Sequence, residues 1–255
     1  YKLNNKNKIA QINIIKKRYD LASRKLIIVL FIANQNNLPS IKADALKNYG
    51  YLYSSKSQYY EALTKYFESK QIYIESGNKQ GVVKCLYDIG TIYIAKSQPD
   101  SAIIYFNQSL EIIEKIRQTA PDEIRRDYLA SQIQTYQNLL SAYLRNNQPD
   151  SAFITSEKST ARYMAEQMLD NYKLKDVPEI NPDDYREKLP DNTAVVKFAN
   201  TNWWQSARML LSKDTLLAIE VADSAFVTNV MKECGDDINK HFANKKLDVL
   251  GSGEF

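Results

Sequence analysis

The chain has 255 residues, 44% hydrophobic and 25% charged, which is ordinary for a soluble protein of one large domain or two modest ones. Glycine and proline are scarce at 7 each, which suits helices and argues against an all-β fold. The net charge of +4 is small, and the longest apolar run, Leu26–Ala33, falls far short of the roughly 20 residues a membrane span needs.

Charge is uneven at the start. Residues 1–26 hold eight basic side chains (Lys2, Lys6, Lys8, Lys16, Lys17, Arg18, Arg24 and Lys25) against one acid, Asp20. Such a stretch reads as a solvated helix face, a seat for an acidic partner, or a nucleic-acid contact; the solvated face is the plainest, and nucleic acid is not expected. No secretory signal is visible, and the chain opens on Tyr1, so a piece of a longer protein is expected.

Further along, Gln-Pro-Asp-Ser-Ala occurs twice, at Gln98–Ala102 and Gln148–Ala152, each five residues after a tyrosine, Tyr93 and Tyr143. Alanines keep the same phase at Ala22, Ala62, Ala102 and Ala152, spaced by 40, 40 and 50 residues. Twelve residues before each stand Ala10, Gly50, Gly90 and Leu140; nine before stand Tyr53, Tyr93 and Tyr143, with Asn13 breaking the pattern. Self-similarity at this period marks a repeat architecture. In the unit around residue 90, Val82, Leu86, Ile89, Ile92 and Tyr93 recur at helical spacing and predict a helix over residues 80–96. Pro99 allows a helix to start but not to continue, and Asp100 suits a cap or first turn. Ala102, Ile103, Tyr105, Phe106, Leu110, Ile112 and Ile113 then form a second helix, with Gly90 and Ala102 small where the two cross. Gln118–Arg126, with Pro121, accounts for the ten-residue insertion before the fourth unit. Many of the 18 tyrosines fall in this region, where tyrosine fills helix contacts while its hydroxyl reaches water.

These residues resemble the tetratricopeptide repeat (TPR): Gly50, Tyr53, Ala62 and Tyr66 fit its pattern, as do Gly90, Tyr93, Ala102 and Phe106. Leu140, Tyr143 and Ala152 fit in part, with Ser156 at the aromatic position, and Ala10, Ala22 and Leu26 fit loosely, as a terminal unit does. The period exceeds the usual ~34 residues, like variants whose helices carry extra turns. The resemblance implies an α-solenoid of about four helical hairpins over residues 1–170. Its concave surface would expose Asp44, Lys47 and Tyr51, then Lys84, Tyr87 and Thr91, then Gln134, Gln137 and Ser141. These suit an extended peptide or partner helix, and equally a plain solvated surface; the protein's own C-terminal part is another candidate occupant. The clamp that grips a free C-terminal carboxylate in this family pairs a lysine with an asparagine four residues on. Lys47 is followed there by Tyr51, so that mode is disfavoured.

After Met168 the helical period stops, and residues 171–188, with Pro178, Pro182 and several acids, read as a linker. Thr193–Phe198, Ser206–Leu211 and Thr215–Val221 read as strands with turns at Asp191-Asn192 and Ser212-Lys213-Asp214, followed by a helix over Ser224–Phe242. Trp203-Trp204 falls in a hairpin loop, where it would dock a partner or cover further domain. Gly251–Phe255 reads as a cloning remnant or a native loop.

Here the chain resembles the CHAT domain, a caspase-like domain associated with TPRs. The residues that carry this are the helix Ser156–Met168, the strand Leu189–Phe198 and the strand pair Met209–Glu220. The resemblance implies a truncated CHAT-like opening over residues 189–255, a small α/β segment of β-hairpin strands plus a helix, and a parent cysteine endopeptidase, bacterial, in signalling or defence. In that family a cysteine nucleophile and histidine base follow the opening strands. Both would lie beyond Phe255, so no catalytic residue is expected here and the chain should be inactive. The sole histidine, His241, and Cys234 are seven residues apart and need not meet. Cys85 and Cys234 show no metal-ligand spacing, so no metal or cofactor is expected, and reduced thiols point weakly to a cytoplasmic setting. The adjacent acids Asp183-Asp184 and Asp236-Asp237 point apart, and Gly251-Ser252-Gly253 is too short to cradle a phosphate. The rival expectation is a TPR adaptor or sensor with no enzyme attached.

Overall fold

The computed structural model describes residues 2–119, 122–159, 194–202, 205–212 and 216–221, together with Asp183 and Glu187. Two units separate, Tyr1–Thr119 and Ala120–Phe255. The linker, the helix beyond residue 159, Trp203-Trp204, Cys234, His241 and the Ser224–Phe242 helix lie outside the described residues.

The first unit is six helices: α1 (Lys2–Ile15), α2 (Tyr19–Gln35), α3 (Pro39–Ser55), α4 (Tyr59–Glu75), α5 (Lys79–Ala95) and α6 (Pro99–Thr119). Helices α2 to α5 each have 17 residues, joined by links of three. The long period therefore comes from long helices with uniform short links, as the sequence spacing implied.

Each link uses the same backbone device. The residue two past the helix is left-handed: Lys17, Asn37, Ser57, Gly77 and Ser97, with φ between 50° and 67°. At the end of α4, Gly77 N donates to Ile74 O at 3.0 Å and Asn78 N to Tyr73 O at 2.8 Å. At the end of α5, Ser97 N donates to Ile94 O and Gln98 N to Tyr93 O, both at 2.9 Å. This is a Schellman cap, which satisfies carbonyls that a helix end leaves open. The recurrent tyrosine thus lends its main-chain oxygen to the cap. Asn13, which breaks the tyrosine pattern, still accepts from Arg18 N at 2.8 Å, because the main chain makes the bond. The last link residue then starts the next helix, as where Gln58 O accepts from Ala62 N and Gln98 O from Ala102 N. Pro39 and Pro99 open their helices, where a missing N–H costs nothing. Asp100 sits in the first turn of α6, and Asn78 Oδ1 caps α5 by accepting from Gly81 N at 2.9 Å.

The core runs across helix pairs. Ala10, Ile14, Ala22, Leu26 and Val29 of the first hairpin pack with Ala45 and Leu52 of α3. Ala62, Leu63 and Tyr66 of α4 pack with Ile89 and Ile92 of α5. A hairpin's first helix is therefore buried on two sides, against its own partner and the preceding hairpin.

The second unit holds α7 (Asp122–Arg145), α8 (residues 149–159) and three strands: β1 (Ala194–Asn202), β2 (Gln205–Ser212) and β3 (Leu216–Val221). The α7–α8 link repeats the cap: Asn147 has φ 55°, Asn147 N donates to Leu144 O and Gln148 N to Tyr143 O. The sheet is antiparallel in the order β1-β2-β3, with Val196 opposite Leu210 and Met209 opposite Ala218, and an irregularity between Asn200 and Asn202. Helix α7 lies against β1 and β3. The insertion between third and fourth hairpins appears as added length: α6 has 21 residues and α7 has 24.

Candidate functional site

Helices α3 and α5, the first helices of successive hairpins, carry six of the nine residues expected on a binding face. Asp44, Lys47 and Tyr51 fall at spacings of three and four along α3, and Lys84, Tyr87 and Thr91 do so along α5, so each set forms one stripe. Tyr51, Lys84 and Thr91 are exposed, while Asp44, Lys47 and Tyr87 are half-buried.

Three of these are engaged within the fold. Asp44 Oδ1 accepts a 2.6 Å hydrogen bond from the Tyr73 hydroxyl of α4, and the Tyr73 ring packs over Gly81, where an added Cβ would stand 2.4 Å from the ring. Burial and the nearby Asp44 carboxylate push the Tyr73 phenol up, so it stays protonated and donates. Asp44 is thus first a strut between α3 and α4. Thr91 Oγ1 donates to Tyr87 O at 3.0 Å, and the Tyr87 ring lies 6.1 Å from Phe106. Lys47, Tyr51 and Lys84 form the outward-facing part.

Sequence reasoning missed the residue that ties these together. Asp88, four after Lys84 on α5, is half-buried. Loss of surrounding water pushes its carboxyl up to about 6, while Lys47 of α3 and Lys84 of α5 pull it back. The available signal was an acid one helical turn from Lys84 on the same stripe. Two lysines and a carboxylate beside two tyrosines can pair with charged side chains, accept hydrogen bonds and stack on apolar groups.

In the second unit Gln134 and Gln137 are half-buried on α7, and Ser141 is buried at 4% exposure. Ser141 therefore faces the interior, while Gln134 and Gln137 keep part of their surface.

Cys85, on α5, is fully buried beside Ala43, Tyr73 and Leu86, with Sγ 3.4 Å from Ser69 Oγ. Burial pushes its thiol up to about 12, far from a reactive thiolate. Among the described residues, no group of three or more His, Cys, Asp or Glu side chains is placed to hold a metal ion, and no helix is long and apolar enough to cross a membrane.

Known proteins bear on this geometry in three ways. Residues 42–115 match the family model of the tetratricopeptide repeat. BtubC (BKLC) from P. vanneervenii is similar in structure, with a TM-score of 0.55 at 17% identity over 70% of this chain and 68% of that one. So are nearly identical TPR-like repeats assigned to a kinesin light chain of Podosopora anserina, with a TM-score of 0.51 at 17% identity over 65% of this chain and 82% of that one. No curated protein matches the sequence. The chain carries tetratricopeptide repeats, in a mainly helical, TPR-like fold.

Proposed function

We propose that the chain is a protein-interaction module whose α3/α5 face holds an extended peptide or a partner helix. The observation that carries this reading is the grouping of Lys47, Tyr51, Lys84 and the half-buried Asp88 on adjacent first helices. Mixed charge and aromatic area on a rigid scaffold is the composition from which specific interfaces are made. In the second unit, taken by itself, Gln134 and Gln137 of α7 are a separate candidate contact. The test is selection of displayed peptides on the whole chain, followed by calorimetry of a selected peptide. Tyr51→Ala and Lys84→Glu should each weaken binding at least tenfold; undiminished affinity in both would move the site elsewhere.

The finer proposal is that this module is the regulatory region of a TPR–CHAT caspase-like cysteine protease, bacterial and cytoplasmic, in which partner binding controls the enzyme. Supporting it are the Ser156–Met168 and Leu189–Phe198 segments quoted above and the order of helical hairpins followed by β1, β2 and β3. Extending the reading frame past Phe255 tests it: the protease reading expects a histidine and a cysteine, each at a strand end. A different domain leaves a TPR adaptor or sensor. The mixed-charge face supports the adaptor reading equally, since it needs no enzyme.

A further inference from the structure

The first hairpin is apolar where its counterparts are covered or polar. In the forty-residue register, Ile12 of α1 stands where α3 has Leu52 and α5 has Ile92, and Ile9 stands where they have Tyr49 and Ile89. Leu52 is 4% exposed against the first hairpin, and Ile89 and Ile92 are 0% and 1% exposed against α4. Tyr49 packs on the same cluster as Leu52, and its hydroxyl donates to Ser23 O of α2 at 3.2 Å. Ile9 and Ile12 are 44% and 50% exposed. Helix α1 thus presents the surface that elsewhere meets the second helix of another hairpin, and among the described residues nothing occupies it.

The charge around this surface narrows what fits. Lys2 and Lys8 of α1, and Lys16 in the turn just past its end, are exposed and fall within one or two turns of Ile9 and Ile12 in the helical register. A second copy laid face to face would bring these lysines against their equivalents, a like-charge juxtaposition that disfavours pairing. We propose that α1 is the docking seat of an acidic amphipathic helix, which sits on it as α2 sits on α3 and α4 on α5. The apolar stripe of the guest would cover Ile9 and Ile12, and its acidic flanks would meet the lysines. A helix is preferred over an anionic membrane because the exposed pair keeps the register of an existing helix–helix contact.

The test uses the whole chain and a labelled synthetic helix. The probe carries the spacing that α2 turns toward the core (Ala22, Leu26, Val29 and Ala33), with glutamates on its other faces; a control helix has lysines in their place. Fluorescence anisotropy should show the glutamate helix binding at least tenfold more tightly than the lysine helix, with the difference shrinking as salt is added. Ile9→Ser with Ile12→Ser should weaken the glutamate helix at least tenfold while circular dichroism stays unchanged. Phe31→Ser, which alters an exposed residue of α2 outside this seat, should leave binding intact. Four results would overturn the proposal: no binding of the glutamate helix, equal binding by the double-serine variant, equal loss in Phe31→Ser, or dimers in light scattering that the double-serine variant abolishes. A fifth would replace it with a membrane contact, namely partition onto phosphatidylcholine–phosphatidylserine vesicles without peptide binding.

Discussion

A Cβ added to Gly90 would stand 2.6 Å from Cε1 of Phe106, and Gly50 bears the same relation to Tyr66 one hairpin earlier. The absent side chain of α5 is the seat of the aromatic ring of α6, and Phe106 has no exposed surface through which to withdraw. Gly90→Ala should therefore cost about 1–2 kcal/mol, the overpacking strain outweighing the up to ~1 kcal/mol that alanine gains in a helix. With Phe106→Leu already in place, the same substitution should become neutral or stabilising. Urea unfolding of the four proteins measures the coupling, and strictly additive changes would remove ring contact as the reason for glycine.

The carboxyl of Asp88, pushed up to about 6 in the fold against 3.8 ordinarily, makes stability depend on pH in an uncommon direction. Between these values the folded chain holds a proton that the unfolded chain has released. The contribution of this residue is thus fully present below about pH 4 and falls as pH rises toward and past 6. Asp88→Asn should stabilise the protein at pH 7.5 by on the order of 2 kcal/mol and much less at pH 4. Denaturant midpoints of both proteins at the two values check this; an equal shift at both would place the cause outside titration.

Left-handed link residues offer a cleaner backbone test. Gly77 has nothing within 4 Å of an added Cβ, so Gly77→Ala should lose only the conformational freedom that φ 67° requires, about 1 kcal/mol. Ser97 occupies the same position with φ 56°. Ser97→Gly should gain a few tenths to about 1 kcal/mol, less than the full relief because glycine also loosens the unfolded chain. Thermal melts should move in opposite directions for the two variants.

Asn7 is 6% exposed, and neither its side-chain oxygen nor its nitrogen has a hydrogen-bond partner. An unsatisfied buried amide costs roughly 1–3 kcal/mol. Asn7→Leu, alike in heavy-atom number and branching, should raise stability by about 1–2 kcal/mol, since the bond to Asn48 uses only the Asn7 main-chain oxygen. A destabilised variant would mean that the amide serves a contact yet to be seen.

The repeat register was legible because each of its residues answers a contact local to one hairpin: Gly50 to Tyr66, Gly90 to Phe106, Ala62 and Ala102 buried at the crossing. The binding face was legible only as a stripe. That Asp44 is held by Tyr73, 29 residues on, depends on how α4 turns against α3, and periodicity carries no such information. Asp88 was passed over because an acid beside lysines on a helix ordinarily reads as solvated surface. The exposure of Ile9 and Ile12 was invisible for the converse reason: their spacing is that of core residues, and only the position of neighbouring helices separates a covered face from a bare one. The left-handed links hid because serine, lysine and asparagine fill most of them in place of glycine.

Lys56-Ser57-Gln58 and Lys96-Ser97-Gln98 are the same tripeptide in the same backbone conformation, each leading from the first helix of a hairpin into the second. A genetic crossover between them would delete or duplicate residues 59–98 and leave a junction chemically identical to the two it replaced. Every severed cap would be restored by a residue of the same type, and α3 would run into α6 as it now runs into α4. The gene can therefore lengthen or shorten its helical array by one whole hairpin in a single event, without passing through an intermediate that must invent a new turn.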